Sequence, residues 1–143
     1  MTTVRDILDD KGRDVYTVLP DATVYEAIQL MADREIGALV VVNAEGKLAG
    51  IVSERDYARK VILVGRSSRD CKVQDVMTRR VLCVTPERSV AECMALMTDK
   101  RARHLPVVEH KAPIGIVSIG DLVKAHIHDQ NILIEQLKHY IAS

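Results

Sequence analysis

The chain contains no tryptophan and no phenylalanine, and four tyrosines are its whole aromatic complement. Its core must therefore be aliphatic, and the stacking platforms on which single-strand nucleic-acid binders lay their bases are missing. Net charge is missing as well, because twenty Lys and Arg balance twenty Asp and Glu. That balance argues against nucleic-acid or membrane attraction driven by bulk charge, while leaving room for a local basic patch. No apolar run approaches the roughly 20 residues of a membrane span. The opening MTTVRDILDDKGRD carries charges where a secretory leader needs an apolar stretch. Cysteine is sparse: Cys71, Cys83 and Cys93 are odd in number and show no C-x-x-C spacing. They fit neither a disulfide framework nor a zinc site, and suit a reducing compartment. The expectation is a soluble cytoplasmic protein without membrane or nucleic-acid partners. At 143 residues it can bury a core unaided.

What the chain does contain is itself, twice. VYTVLPDATV (Val15–Val24) lies over VLCVTPERSV (Val81–Val90) at an offset of 66, and LVVV (Leu39–Val42) lies over LPVV (Leu105–Val108). After one residue is lost from a turn, GIVSERD (Gly50–Asp56) lies over GIVSIGD (Gly115–Asp121). A short matching helix precedes each copy, VRDIL from Val4 and VQDVM from Val73. The reading is one repeat over residues 1–66, a second over 71–128, and a tail over 129–143, with the polar GRSSRD between the repeats.

Each copy predicts the order β-α-β-β-α. A β-branched run (Val15–Val18, Val81–Val84) ends at Pro20 or Pro86, which cannot extend a ladder. The next helix opens on a capping box, Thr23 with Glu26 or Ser89 with Glu92. Its apolar stripe is Val24, Ala27, Ile28 and Met31, repeated as Val90, Cys93, Met94 and Met97. Cys93 is thus a small core hydrophobe rather than a nucleophile. Two apolar runs follow, Ala38–Val42 and Leu48–Val52, then Leu105–Val108 and Ile114–Val117; their near-continuity implies strands covered on both faces. In the tail, Leu133, Leu137, Tyr140 and Ile141 share a helical face, which fits equally a helix on its own core or a dimer contact.

Catalysis and metal binding find no support. Neither G-x-x-x-x-G-K-[ST] nor G-x-G-x-x-G is present. Ser53 and Ser118 lack a nucleophile-elbow context and an arranged base. His126 and His128, two apart on a helix, point in different directions. His110 falls in a solvated turn. No catalytic residue, metal ligand or catalytic cofactor is assigned.

The S-x-x-D of Ser53–Asp56 and Ser118–Asp121 admits two uses. A serine before a helix with an acid three positions on is a helix-start signal. Equally, a carboxylate held there can accept from two vicinal ribose hydroxyls while free amides receive a phosphate. A tandem β-α-β-β-α repeat with G-I-V-S-x-x-D at both third strands resembles the CBS-domain family, two copies of which form a Bateman module. The stretch SERDYARKVILVGRSS is similar to the stand-alone pairs of bacteria and plants.

The resemblance implies an α+β fold of tandem repeats related by a pseudo-twofold axis, with helices on small sheets. It assigns Asp56 and Asp121 as ribose acceptors, with Ser53 and Ser118 near ribose or phosphate. Adenine would rest on the wall before each first strand: Lys11, Gly12, Arg13 and Val15 in one copy, Arg80 and Val81 in the other. Phosphate-facing positions would be Ile36 and Gly37, and Arg103 and His104. Each cleft would borrow from both repeats. The Asp121 cleft would combine Ser118 and Arg103 with Arg13, Ile36 and Gly37, and would be the tighter. The Asp56 cleft would hold Arg55. The run Lys100–His104 equally fits a solvated helix end, where cations suit the dipole.

The function this implies is regulatory: a non-catalytic module sensing AMP, with ADP, ATP, NAD or S-adenosylmethionine as alternatives, forming a homodimer and signalling to a separate effector protein. The competing reading is a dimeric scaffold that regulates a redox or nucleotide-metabolism enzyme without nucleotide.

Overall fold

The computed structural model describes residues 2–142. Helix α1 (Val4–Lys11) is followed by β1 (Thr17–Val18), α2 (Val24–Arg34), β2 (Ala38–Val42) and β3 (Leu48–Ser53). The first half closes with α3 (Glu54–Tyr57), which runs straight into a π-helical turn over Ala58–Ile62. The second half comprises α4 (Val73–Val76), α5 (Val90–Lys100), β4 (His104–Glu109), β5 (Ala112–Ser118) and α6 (Ile119–Ala142).

Local chemistry sets the helix ends. The Thr23 hydroxyl accepts from Glu26 N at 3.1 Å, and the Glu26 carboxylate accepts from Thr23 N at 3.3 Å, closing the predicted box. Ser89 accepts from Glu92 N at 3.1 Å in the second copy. Val24, Ala27 and Met31 form the buried stripe of α2, and Val90, Cys93 and Met97 that of α5. Cys93 is fully buried, and burial pushes its thiol pKa up, as suits a core residue. Both helices end on a non-glycine residue in the left-handed region, Glu35 at φ 55° and Arg101 at φ 53°.

In the first sheet β1 runs parallel to β2, with Thr17 opposite Val40, and β2 runs antiparallel to β3. The second sheet pairs β4 with β5 only, and the expected strand over Val81–Val84 is reduced to one parallel bridge between Val84 and Val107. Pro106 explains the loss. It occupies the place of Val40 and has no N–H to extend a ladder, so pairing is confined to Val84, whose N donates to Pro106 O at 3.0 Å and whose O accepts from Val108 N at 2.9 Å. Strand β2 is buried at four consecutive positions, as a strand covered on both faces should be. Burial in β3 and β5 alternates instead, so only one of their faces is covered.

The leading helices cross over. Val4, Ile7 and Leu8 of α1 join the core of the second half, beside Val90, Leu105 and Val117. Val73 and Val76 of α4 join the core of the first, beside Val24, Leu39 and Val52. Main-chain pairs lock each exchange: Val4 N to Arg88 O and Val90 N to Thr2 O on one side, Val24 N to Cys71 O and Val73 N to Ala22 O on the other. Each half thus completes its core with a helix encoded ahead of the other.

The last helix is continuous over 24 residues. Leu122 is buried, but Leu133 is 48% exposed, Leu137 52%, and Tyr140 and Ile141 81%. Of the two readings of this face, packing on the chain's own core is therefore overturned. The helix runs past the body that could cover it.

Candidate ligand clefts

Both S-x-x-D motifs fall where β3 and β5 pass into α3 and α6, and both form capping boxes. Asp56 Oδ2 accepts from Ser53 N at 2.9 Å, and Asp56 N donates to Ser53 Oγ at 3.2 Å. The corresponding distances at Ser118 and Asp121 are 2.8 and 3.2 Å. The next amides are also engaged: Glu54 N donates to Gly37 O and Ile119 N to Arg103 O, both at 3.0 Å. The amides expected to receive a phosphate are therefore largely spent within the protein, and anion recognition falls to side chains.

Each aspartate also holds a lysine, from different places. Lys60 Nζ lies 3.0 Å from Asp56 Oδ1 and 2.8 Å from Val76 O, reaching back four residues from the π-helical turn. Lys11 Nζ lies 2.7 Å from Asp121 Oδ2 and 3.0 Å from Ile116 O, reaching across from α1. Burial pushes the Asp121 carboxyl up, but the Lys11 and Ser118 hydrogen bonds outweigh it and leave the pKa below its ordinary value.

Two clefts lie between the halves. The larger, about 790 Å³, is lined by Gly37, Ile51, Ser53, Glu54, Arg55 and Asp56 of the first half. Thr78, Arg80, Val81, Leu82 and the run Lys100–His104 complete it from the second. The smaller, about 380 Å³, is lined by Lys11, Gly12, Asp14, Val15, Tyr16, Glu35–Ala38 and Val40, together with His104, Ile116 and Ser118. Both clefts draw on both repeats, and both lie in the size range of small-molecule sites.

The structure brings Ser53, Asp56, Arg55, Arg80, Val81, Arg103 and His104 together at the larger cleft, and Ser118, Lys11, Gly12, Val15, Ile36, Gly37 and His104 at the smaller. Gly37 and His104 face both. The grouping of Arg103 with Ser118 is corrected: its carbonyl serves the start of α6, while its side chain turns to the Asp56 cleft. Arg13 is likewise absent from the smaller cleft, because it pairs with Asp9 on its own helix end. Asp121 does not line that cleft either. Lys11, which covers it, does.

Charge separates the two further. Arg55, Arg80, Lys100, Arg101 and Arg103 face Glu54 and Asp56 in the larger cleft, whereas Lys11 faces Asp14 and Glu35 in the smaller. His104 sits between them with its pKa lowered, by burial first and then by Lys11 and Arg103, against the opposing pull of Asp121 and Glu54. Sequence reasoning missed Glu54, Ile51 and Leu82 as lining residues. The alternation of β3, which turns Ile51 and Ser53 to one face, was the available signal.

Two crossed repeat units with clefts between them define a tandem repeat protein, and the CBS-domain model matches residues 3–63 and 73–128. The chain belongs to the CBS-domain family and carries two of its repeats; stand-alone CBS-domain proteins are generally non-catalytic regulatory modules. It is 45% identical to the Arabidopsis thaliana CBS domain-containing protein CBSX3, mitochondrial, over 98% of this chain and 72% of that one. It is 34% identical to the Bacillus subtilis CBS domain-containing protein YhcV, over 85% of this chain and 84% of the other. Among solved structures, a protein with CBS domains from Burkholderia ambifaria MC40-6 superposes with a TM-score of 0.84 at 55% identity, covering 90% of this chain and 96% of that one. No helix among the described residues is long and apolar enough to cross a membrane.

Proposed function

We propose that this chain is a regulatory module that binds an adenosine nucleotide between its two repeats and passes the signal to a separate effector protein. The observation that carries the reading is the larger cleft. It places the carboxylate of Asp56 beside arginines from both repeats, a pairing suited to ribose hydroxyls at one end and phosphate at the other. The capping oxygen of Asp56 is occupied, but Oδ1 is held only by Lys60, whose side chain is 46% exposed and can yield to hydroxyl donors. Asp121 does not line the smaller cleft, where Lys11 stands in its place, so the Asp56 cleft takes the principal role that the sequence assigned to its counterpart. A ligand touching both halves favours the arrangement that makes both sets of contacts, and output follows from that difference in affinity.

The exposed apolar residues of α6 support a homodimer formed through helices. They equally support the scaffold reading, in which that face is the whole business of the protein. A thermal-shift screen with adenosine, AMP, ADP, ATP, NAD and S-adenosylmethionine separates the two. A ligand at 100 times its Kd adds about 2.7 kcal/mol of stability, a shift of several degrees for a domain of this size. No shift with any of the six compounds would leave the scaffold standing alone.

A further inference from the structure

The two halves carry different side chains at matching places, and the difference falls on the cleft walls. Residues 34–38 read Arg-Glu-Ile-Gly-Ala, and their counterparts 100–104 read Lys-Arg-Ala-Arg-His. Glu35 and Arg101 occupy the same left-handed helix end with opposite charge. Gly37 and Arg103 occupy the same turn, one with no side chain and the other with a guanidinium.

From the second half Arg80, Arg101 and Arg103, and from the first Arg55, therefore converge on one cavity. Among the described residues no ion pair or hydrogen bond engages any of these four guanidinium groups. Most other arginines of the chain are satisfied: Arg5 by Glu87, Arg13 by Asp9, Arg88 by Glu92, Arg79 by a carbonyl, Arg34 and Arg69 by tyrosine rings. Of the two carboxylates that line the cleft, Asp56 is already matched by Lys60, which leaves Glu54 alone against the four guanidinium groups. Like charges gathered in excess of counter-charge repel, and a multivalent anion relieves that repulsion.

We infer that the Asp56 cleft is built for a chain of two or three phosphates, as in a nucleoside di- or triphosphate, and that the smaller cleft takes none. This inference rests on the nucleotide reading above and sharpens it. A single phosphate ester carries a charge of about −1.5 to −2, at most half of what four guanidinium groups supply. Four guanidinium groups, supplied by three segments of chain, match a longer polyanion, while Lys100 on the same wall is paired with Asp99. The smaller cleft sets one lysine, itself spent on Asp121, against Asp14 and Glu35. That charge repels phosphate.

The test is calorimetric titration of the full chain at 150 mM salt with adenosine, AMP, ADP, ATP and sodium tripolyphosphate. Affinity should rise at least tenfold from AMP to ATP, with one ATP per chain. Arg80→Ser with Arg103→Ser should weaken ATP at least tenfold and leave adenosine within twofold. Both residues are exposed, and Arg80→Lys with Arg103→Lys should restore part of the loss, which separates charge from misfolding. AMP binding as tightly as ATP, or two ATP per chain, would overturn the inference and leave the nucleotide reading intact. Tripolyphosphate binding at one per chain, with no adenosine compound binding, would uphold the inference and remove the nucleotide. Silence from every probe would remove both.

Discussion

The two clefts are the same construction with different contents. Each is walled by a strand end carrying Ser-x-x-Asp, by a helix end in the left-handed region, and by the segment before a first strand. In one, Asp56 opens onto a cationic cavity of about 790 Å³; in the other, Lys11 stands over Asp121 in a cavity half that size. Duplication thus preserves the framework, since capping and packing demand the same residues twice. The charged part of the lining is free to diverge, because those side chains belong to neither core.

The strongest way to break this comparison is to remove the two aspartates separately. Asp56→Ala should weaken nucleotide binding by about 1.5–3 kcal/mol, roughly ten- to a hundredfold, from lost charge-assisted hydrogen bonds. Asp121→Ala should change it less than twofold. Both should cost about 1 kcal/mol of stability through the lost cap, read in urea melts. Equal effects of the two on affinity would mean that the clefts are equivalent in function.

A smaller effect sharpens the contrast at the helix ends. Glycine is the residue suited to a left-handed helix terminus, so Glu35→Gly and Arg101→Gly should each stabilise the protein by about 1 kcal/mol. Only Arg101→Gly should lose affinity for ATP. If Glu35→Gly loses as much, Arg101 acts through backbone geometry rather than charge.

The smallest effect is the pH response of His104, which both clefts share. Its folded pKa lies below the ordinary value, so the unfolded chain binds the proton first. The associated stability is complete above about pH 6.5 and declines as pH falls through that range toward the folded value. Glu54, Asp121, Lys11 and Arg103 are the charged groups that act on it. The Asp121 carboxyl, also depressed, adds a separate loss at lower pH, beneath the ordinary carboxylate range. His104→Gln should remove the first decline and spare the second. A polyphosphate anion should raise the His104 pKa, so binding near pH 6.5 should take up protons, visible as a buffer-dependent heat. An identical slope in wild type and variant between pH 7.5 and 5.5 would show that His104 stays out of the linkage.

Much of the fold was legible because its signals are local. The runs Ala38–Val42 and Leu48–Val52 became β2 and β3 nearly as written, and the Thr23–Glu26 box opens α2. The Ser-x-x-Asp pairs announced themselves through repetition, and their capping use is plain in the hydrogen bonds. The crossed leading helices were not legible. Val4, Ile7 and Leu8 form an apolar stripe that fits either half, and nothing within eight residues says which core it enters. The direction of Arg103 was hidden for a related reason: its main chain belongs to one cleft and its side chain to the other.

By itself, then, the sequence determined the repeat, the order of elements within it, the aliphatic core and the placing of two acids at two helix starts. These follow from periodicity and hydrogen bonding over a few residues, which hold wherever the segment lies. Tertiary structure alone decided which helix completes which core, that a lysine from α1 covers Asp121, and that arginines from three separate segments share one cavity. Those outcomes depend on how two halves meet, and contacts between halves are set by the shapes of packed surfaces rather than by neighbouring residues.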